Sequence, residues 1–480
     1  MKIVQIFRKV GVGCAVLTLL LLNSCQPFAP SSRVDQVVVL PETYSLYSAQ
    51  QDGSENWWYD FNWHDLDQLI AKGLAQNLTL HETWARLQQS QAQFAKNRAE
   101  QYPDLSYSGD ASHNRRGQQI DNNTQVVTEQ RFGLSLATSY EVDLWGRVAA
   151  DVSAARLTAE ASRADWQAAQ VTIAAQIADT WIQLITQQNL VPLAHERWQR
   201  SQQQLELLQL RYRRGMVTGV DVAEQQRRVA EFRAALLPLE EQEQQLHYDL
   251  ALLLGELPSW RWQPLANELP QLKEITSLGL PADLLAQRPD VRAAGLRLQS
   301  ADWSVSAARA DRLPALRLSA GISSDSAHVA DLFDSWLANL AASVTGPIFD
   351  GYRRAAEVER TQAVVAERLA SYKKAVLTAM SEVETALMQE AKRSNELAAV
   401  SDQVAQQQMV CEQQRQRYLQ GDDSYLSLLG AEQTLTLLKQ QQLQQQRDLL
   451  LARTALHRAL GGRVNVAHQQ SVAFKENSEG

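Results

Sequence analysis

The stretch RVAADVSAARLTAEASRADWQAAQVTIAAQIADTWIQLITQQNLVPLAHERWQRSQQQLELLQLRYRR, residues 147–214, runs for 68 residues with no glycine and a single proline, Pro192. It stops at Gly215. A second stretch of the same length, Arg353 to Gln420, contains neither glycine nor proline and stops at Gly421. Ala, Gln, Glu, Arg and Leu dominate both, so each predicts one continuous helix. At about 1.5 Å per residue such a helix is roughly 100 Å long, several times the width of an ordinary domain. These are struts, not core elements of a compact enzyme. Trp166, Ile173, Ile177, Trp181 and Leu184 form an apolar stripe on the first, the seam of one helix against another. Pro192 is expected to kink or interrupt it, at roughly 3 kcal/mol if the helix continues.

The sequence before each strut changes period from 3.6 to 2. Leu105, Tyr107, Gly109 and Ala111 alternate with Ser106, Ser108, Asp110 and Ser112. After a polar loop, residues 113–130, Phe132, Leu134, Leu136, Thr138, Tyr140 and Val142 alternate with Gly133, Ser135, Ala137, Ser139, Glu141 and Asp143. This predicts a hairpin with strands at about 104–113 and 131–143, one face apolar and one polar. Before the second strut the same pattern predicts strands at about 315–323 and 339–349. Their length matches tilted strands that cross a bilayer. A half-buried sheet of a soluble domain alternates identically, so the pattern by itself leaves both readings open.

Each strut is followed by a glycine turn and a return helix, the first from about Val220 to Leu254. Gly215 to Gly421 and Gly255 to Gly461 are both shifts of 206 residues, whereas Pro103 to Pro314 is 211. The unit helix–hairpin–long helix–return helix therefore occurs twice. The expected division is a signal peptide at 1–24, an N-terminal segment at 25–64, a first repeat at 65–255, a proline-rich connector at 256–281, a second repeat at 282–462 and a polar tail at 463–480. The leading helices are expected at 65–101 and 282–312.

Lys2, Arg8 and Lys9 precede a 13-residue apolar run, Val10 to Leu22, too short to span a bilayer and typical of a secretion signal. Leu22-Asn23-Ser24-Cys25 resembles a bacterial lipobox. That resemblance makes Cys25 the acylated first mature residue and, with Gln26 rather than Asp following, implies delivery to the outer membrane. Without residues 1–24 the chain carries 43 basic and 54 acidic residues, which argues against nucleic acid as a partner. Once Cys14 is removed with the signal, only Cys25 and Cys411 remain, so the fold needs no internal disulfide.

Each hairpin is entered from a helix and left into a helix, so the helices leave on one side and the polar loops lie on the other. Four strands cannot close a barrel, and an open edge is not tolerated in lipid. The chain is therefore expected to oligomerise. Three copies supply twelve strands and a water-filled lumen; two supply eight, which side chains fill.

Several motifs add to this: Tyr102-Pro103-Asp104-Leu105, Glu141-Val142-Asp143-Leu144-Trp145-Gly146-Arg147, Arg288-Pro289-Asp290-Val291-Arg292-Ala293-Ala294, Pro347-Ile348-Phe349-Asp350-Gly351 and two Arg-Tyr-x-x-Gly turns. In this order on a doubled unit, they make the chain resemble the TolC-like outer membrane factors, specifically the lipoprotein branch of OprM, CusC and NodT. The resemblance covers nearly everything from Cys25 to Gly462. It implies a mixed membrane β-barrel and α-helical barrel, formed by a homotrimer with a 12-stranded barrel and a long periplasmic tunnel. It further implies a passive efflux duct for small molecules, served by a periplasmic adaptor and an inner-membrane resistance-nodulation-division (RND) pump.

By that resemblance the adaptor meets the two turns farthest from the membrane, at Arg211, Gly215, Thr218, Asp221 and Val222, and at Arg417, Gly421, Tyr425 and Leu426. Relatives often carry Leu-Leu-Asp-Ala after the second turn, where the acid forms a ring. Here the sequence is Leu428-Leu429-Gly430-Ala431, so that carboxylate is missing. The periplasmic gate is instead expected at Asp423, Leu428 and Leu429. Trp145, Trp336, Tyr140 and Tyr352 are candidates for an interfacial aromatic girdle. No metal-ligand cluster, phosphate-binding loop or nucleophile motif appears in the mature chain, so no enzyme and no cofactor is expected beyond a covalent lipid on Cys25. The alternatives are a type I protein-secretion duct and a lipid-anchored periplasmic coiled-coil scaffold. The lipobox predicts that Cys25→Ser abolishes incorporation of labelled palmitate in growing cells; retained label would remove Cys25 as the acceptor.

Overall fold

A computed structural model describes residues 27–31, 56–120, 123–262, 268–272 and 287–462. The signal peptide, Cys25, most of the 25–64 segment, much of the connector and the 463–480 tail lie outside the described residues. A 3-10 turn, Trp57–Phe61, precedes α1 (His64–Gln76) and α2 (Leu78–Ala99). Then come β1 (Asp104–Ile120), β2 (Asn123–Val142), α3 (Arg147–Arg213) and α4 (Gly219–Leu253). The second series is α5 (Pro289–Ala310), β3 (Ala315–Ser326), β4 (Leu337–Thr345), α6 (Arg353–Gln420) and α7 (Tyr425–Ala459).

Both struts are single helices, and α3 continues through Pro192, so the interruption allowed by the sequence does not occur. The missing amide is compensated by packing on either side, where Leu190 and Ala194 are buried. A second helix proline, Pro238, sits in α4. Near it, Gln187 of α3 donates its amide Nε2 to the Leu239 carbonyl at 2.7 Å.

The single leading helix expected at 65–101 is two. Asn77 breaks it because its side chain serves two partners. Oδ1 accepts the Leu80 amide at 3.1 Å, capping α2, while Nδ2 donates to the Leu253 carbonyl at 2.8 Å. The helix expected at 282–312 is described from Pro289 to Ala310.

The strands differ most from expectation in the first hairpin. Residues 113–130 are not a loop: β1 and β2 stay paired to Ile120↔Asn123, with only 121–122 between them. Beyond Phe132, β2 has no second neighbour, so this extension is a two-stranded ribbon. Thr124, Val126, Val127 and Thr128 supply β-branched residues. Alternation marks only strands with one apolar face, and this ribbon has none. In the second hairpin β3 ends at Ser326, three residues later than expected, while β4 spans Leu337–Thr345, beginning two residues earlier and ending four residues earlier than expected.

The chain divides into two compact units. One comprises residues 1–38, 86–163 and 293–373 and holds the sheet; the other comprises 39–85, 164–292 and 374–480. The sheet unit also holds the start of the described N-terminal segment, where the Phe28 carbonyl accepts the Ser306 hydroxyl at 2.6 Å.

The core of the second unit explains why tryptophan is so frequent. Trp57, Trp58 and Phe61 pack with Leu66 and Ile70 of α1, Ile177, Trp181 and Ile185 of α3, Leu250 of α4 and Leu254 just past its end. Trp63 and Trp262 lie 5.7 and 6.4 Å from Trp181, whose ring is fully buried. The stripe expected on the first strut is therefore a core seam from Ile173 to Leu184, and Trp166 meets Trp84 at 5.1 Å. Arg288, of the Arg-Pro-Asp motif, is buried. It binds Asp290 at 2.7 Å, Glu382 at 2.6 Å and the Ala459 carbonyl at 3.1 Å, joining the start of α5 to α6 and α7.

The four helix ends at Gly215, Gly255, Gly421 and Gly461 share one cap. Each glycine has positive φ and donates to a carbonyl three residues back, while the next residue donates five residues back. Gly255 has a further constraint, since a β-carbon there would lie 2.7 Å from the Gln76 backbone oxygen. Gly255→Ala is expected to destabilise the fold by about 1–3 kcal/mol through left-handed strain, with the collision adding to it; an unchanged thermal midpoint in detergent would contradict this close approach.

Candidate functional site

The four strands form one antiparallel meander in the order β1-β2-β3-β4. Its register aligns the side-chain faces. Tyr107 pairs with Leu136, and Leu136 with Ile322, which in turn pairs with Ala338. Gly109↔Leu134, Tyr140↔Leu318↔Ala342 and Val142↔Leu316↔Val344 continue the same face. A one-residue slip at any ladder would scatter these residues to both faces. Tyr107 is 88 % exposed and Leu340 84 % exposed. Such an uncovered apolar face on a sheet marks contact with lipid or another apolar phase.

The opposite face is small and polar. Its rows are Ser108↔Ser135↔Ser323↔Leu337, Ser106↔Ala137↔Gly321↔Asn339 and Asp104↔Ser139↔Ser319↔Ala341, with Leu337 the one large apolar residue among them. Ser108 and Ser135 hydroxyls are 2.8 Å apart. Among the described residues, the edge strands β1 and β4 have no outer neighbour. They also run in opposite directions, so a second copy placed beside the first sets its β1 antiparallel to β4.

At the helix side of the sheet, Glu141 accepts Arg147 Nη2 at 2.9 Å and Nε at 3.1 Å, and lies 3.4 Å from Arg317 on the neighbouring strand. Asp143 accepts the amides of Val148 and Ala149 at 3.2 and 2.8 Å, a negative group on the N-terminus of α3. Gly146 and Gly351 have φ of 75° and 66° and turn each hairpin into its strut. Of the expected girdle residues, Trp336 and Tyr352 are exposed and Tyr140 is half-buried on the apolar face. Trp145 is exposed as well, with its indole N–H donating to the Pro314 carbonyl at 2.8 Å.

The two helical turns are copies of one design. At the first, the Arg211 carbonyl accepts Met216 N at 2.9 Å and the Tyr212 carbonyl accepts Gly215 N at 2.9 Å; at the second, Arg417 and Tyr418 do the same for Asp422 and Gly421 at 2.9 and 3.1 Å. Three residues after each glycine the return helix is capped. Thr218 Oγ1 accepts Asp221 N at 3.3 Å while the Asp221 carboxylate accepts Thr218 N at 2.7 Å. Ser424 Oγ accepts Ser427 N at 3.3 Å. The Thr218 hydroxyl and then its amide hold the Asp221 carboxyl below its ordinary value of 3.8. Thr218-x-x-Asp221 and Ser424-x-x-Ser427, one shift of 206 apart, carried this signal in the sequence.

Arg211 and Val222 are half-buried, while Gly215, Thr218, Asp221, Arg417, Gly421 and Tyr425 are exposed and Leu426 is half-buried. Tyr425 packs 5.3 Å from Tyr418. The expected gate does not assemble as a set. Leu428 and Leu429 are buried within the protomer, at 7 % and 1 % exposure, so they belong to its interior rather than to a pore lining. Asp423 caps the turn: its carboxylate accepts the Ser427 hydroxyl at 2.8 Å and Ser424 N at 2.7 Å, and lies 3.6 Å from Arg417. Those contacts, the Ser427 hydroxyl foremost, hold its pKa down. A β-carbon at Gly430 would meet nothing within 4 Å.

The family description Outer membrane efflux protein matches residues 69–256 and 280–462, once per repeat. The chain belongs to that family. It is 31 % identical over 430 residues to the pyoverdine export outer membrane protein OpmQ of Pseudomonas putida, covering 86 % of this chain and 89 % of the relative. OpmQ of Pseudomonas aeruginosa is 30 % identical over 454 residues, 92 % of this chain and 95 % of the relative. The structure of the outer-membrane channel OprN superposes with a TM-score of 0.80 at 26 % identity, covering 90 % of this chain and 98 % of that one.

This efflux protein is thus a TolC-like outer membrane channel of two repeats. No helix among the described residues is long and apolar enough to cross a membrane. The described residues also hold no cluster of metal-ligating side chains. Burial of Leu429 predicts that Leu429→Ala destabilises the protein by about 2–5 kcal/mol, the cost of a core cavity; a purified variant that unfolds at the parental temperature would return Leu429 to the candidate gate.

Proposed function

We propose that three copies of this chain close a twelve-stranded barrel and act as the passive exit duct of a tripartite efflux system. The observation that carries the reading is the open-edged four-stranded meander with one continuous apolar face. In hydrocarbon each unsatisfied edge group costs several kcal/mol, so β4 of one copy pairs with β1 of the next. Strands about 4.8 Å apart and tilted about 40° give a backbone radius of roughly 12 Å for twelve strands and roughly 8 Å for eight. Only the larger leaves a passage once Ser, Asn and Asp side chains point inward.

Cys25 carries the lipid anchor in this reading. Phe28, bonded to Ser306, is three residues away, and three residues reach at most about 11 Å. A periplasmic adaptor docks on the two capped turns, with Arg211, Gly215, Thr218, Asp221 and Val222 on one and Arg417, Gly421, Tyr425 and Leu426 on the other. An inner-membrane RND pump supplies the cargo. The rigid caps favour docking, because the turns lose little conformational entropy on binding. Relatives named for pyoverdine export support small molecules as the cargo class.

The test is covalent capture of the seam between copies. Cysteine at Asn339 is combined in turn with cysteine at Ser106, Ser108 or Asp110, in a Cys411→Ser background. Oxidation is expected to trap a covalent trimer for one of these registers in native membranes. Monomer alone in all three combinations would overturn the barrel.

A further inference from the structure

The polar face of the sheet carries charges at its helix side, at the row of Asp110, and beyond that row on the two-stranded ribbon, where Arg131, Glu129 and Arg116 share the face. At the helix side lie Asp104, Glu141 and Arg317. Above them come two rows without charge, Ser106↔Ala137↔Gly321↔Asn339 and Ser108↔Ser135↔Ser323↔Leu337. The next row is Asp110↔Gly133↔Asp325. Gly133 puts no side chain between the two acids, and the Asp110 carboxylate leans into the space it leaves. A β-carbon at Gly133 would lie 2.5 Å from Asp110 Oδ1. Asp325 is paired with Arg131 at 3.2 Å, both exposed. Asp110 has no ion pair among the described residues. The row thus holds two acids whose backbones are about 10 Å apart, two strand spacings, with one guanidinium beside them.

We propose that Asp110 and Asp325, facing the lumen on either side of Gly133, form a net-negative collar that favours cations over anions at the exit of the duct. The inference rests on the trimeric barrel proposed above. Three copies bring six carboxylates and three Arg131 guanidinium groups to this level. The Debye length is about 8 Å at physiological salt, comparable with the free radius of such a lumen, so the charge acts across the whole passage. Low-dielectric walls concentrate the field further. Asp110 and Asp325 then bias which charged cargo leaves easily, without binding any of it.

Cysteine at Ser108, one row closer to the helices, reads the potential behind the collar. In a Cys411→Ser background, intact cells are treated from outside with a cationic trimethylammonioethyl or an anionic sulfonatoethyl methanethiosulfonate. The cationic reagent is expected to react faster. Asp110→Asn with Asp325→Asn should lower the cation-to-anion rate ratio by roughly sevenfold for each kT of potential removed, since the reagents carry opposite charges. Raising the salt concentration on the parent should compress the same ratio, a readout that needs no substitution in the collar. Reaction with both reagents at a ratio insensitive to the two substitutions and to salt overturns the collar and leaves the duct standing. Failure of both reagents to reach Ser108→Cys overturns the duct itself.

Discussion

Backbone amides and carbonyls must have partners, and that requirement shapes both compact units. In the sheet it is met between β1, β2, β3 and β4 and left open at the two outer edges, which lipid does not tolerate. At the long helices it is met by the same pair of bonds at each of four glycines. At each turn the Schellman bonds serve the last carbonyls of the long helix, and the Thr218 or Ser424 cap serves the first amides of the return helix. The tight turns are consequences of this accounting.

The two repeats share this scaffold and differ where it is free to differ. Their long helices and caps keep one spacing, whereas the first hairpin is longer, with strands of 17 and 20 residues against 12 and 9. The added length lies in a ribbon that only pairs with itself. Packing is also unequal. The tryptophan-rich core around Trp181 gathers α1, α3 and α4, all of the first repeat, together with Leu450 of α7. Arg288 performs the corresponding tie for α5, α6 and α7 through charge and hydrogen bonds.

Much of the architecture was legible because its signals are one-dimensional. Absence of Gly and Pro over 68 residues, period-2 alternation and a repeat shift of 206 need no knowledge of contacts. The misreadings have equally physical causes. Residues 113–130 looked like a loop because a strand wet on both faces carries no alternation. The helix over 65–101 looked continuous because Asn77 is tolerated in helices, and only its bond to the Leu253 carbonyl, 176 residues away, turns it into a break. Leu428 and Leu429 looked like a pore constriction because an apolar pair in a helix does not declare which side it faces. Asp221 was placed only as an adaptor contact by resemblance, although the Thr218-x-x-Asp221 spacing already carried the capping role that its bonds to Thr218 display.

By itself the sequence determined the doubled unit, the long helices, the glycine turns and the alternating strands, since each depends on residues near one another in the chain. The tertiary structure decided the register that joins Tyr107, Leu136, Ile322 and Ala338 on one face, the alignment of Asp110, Gly133 and Asp325 on the other, and the burial of Leu429. Those features depend on which distant segments pair and pack. A period of two says that a strand has two faces, but only its neighbours establish which side chains share them.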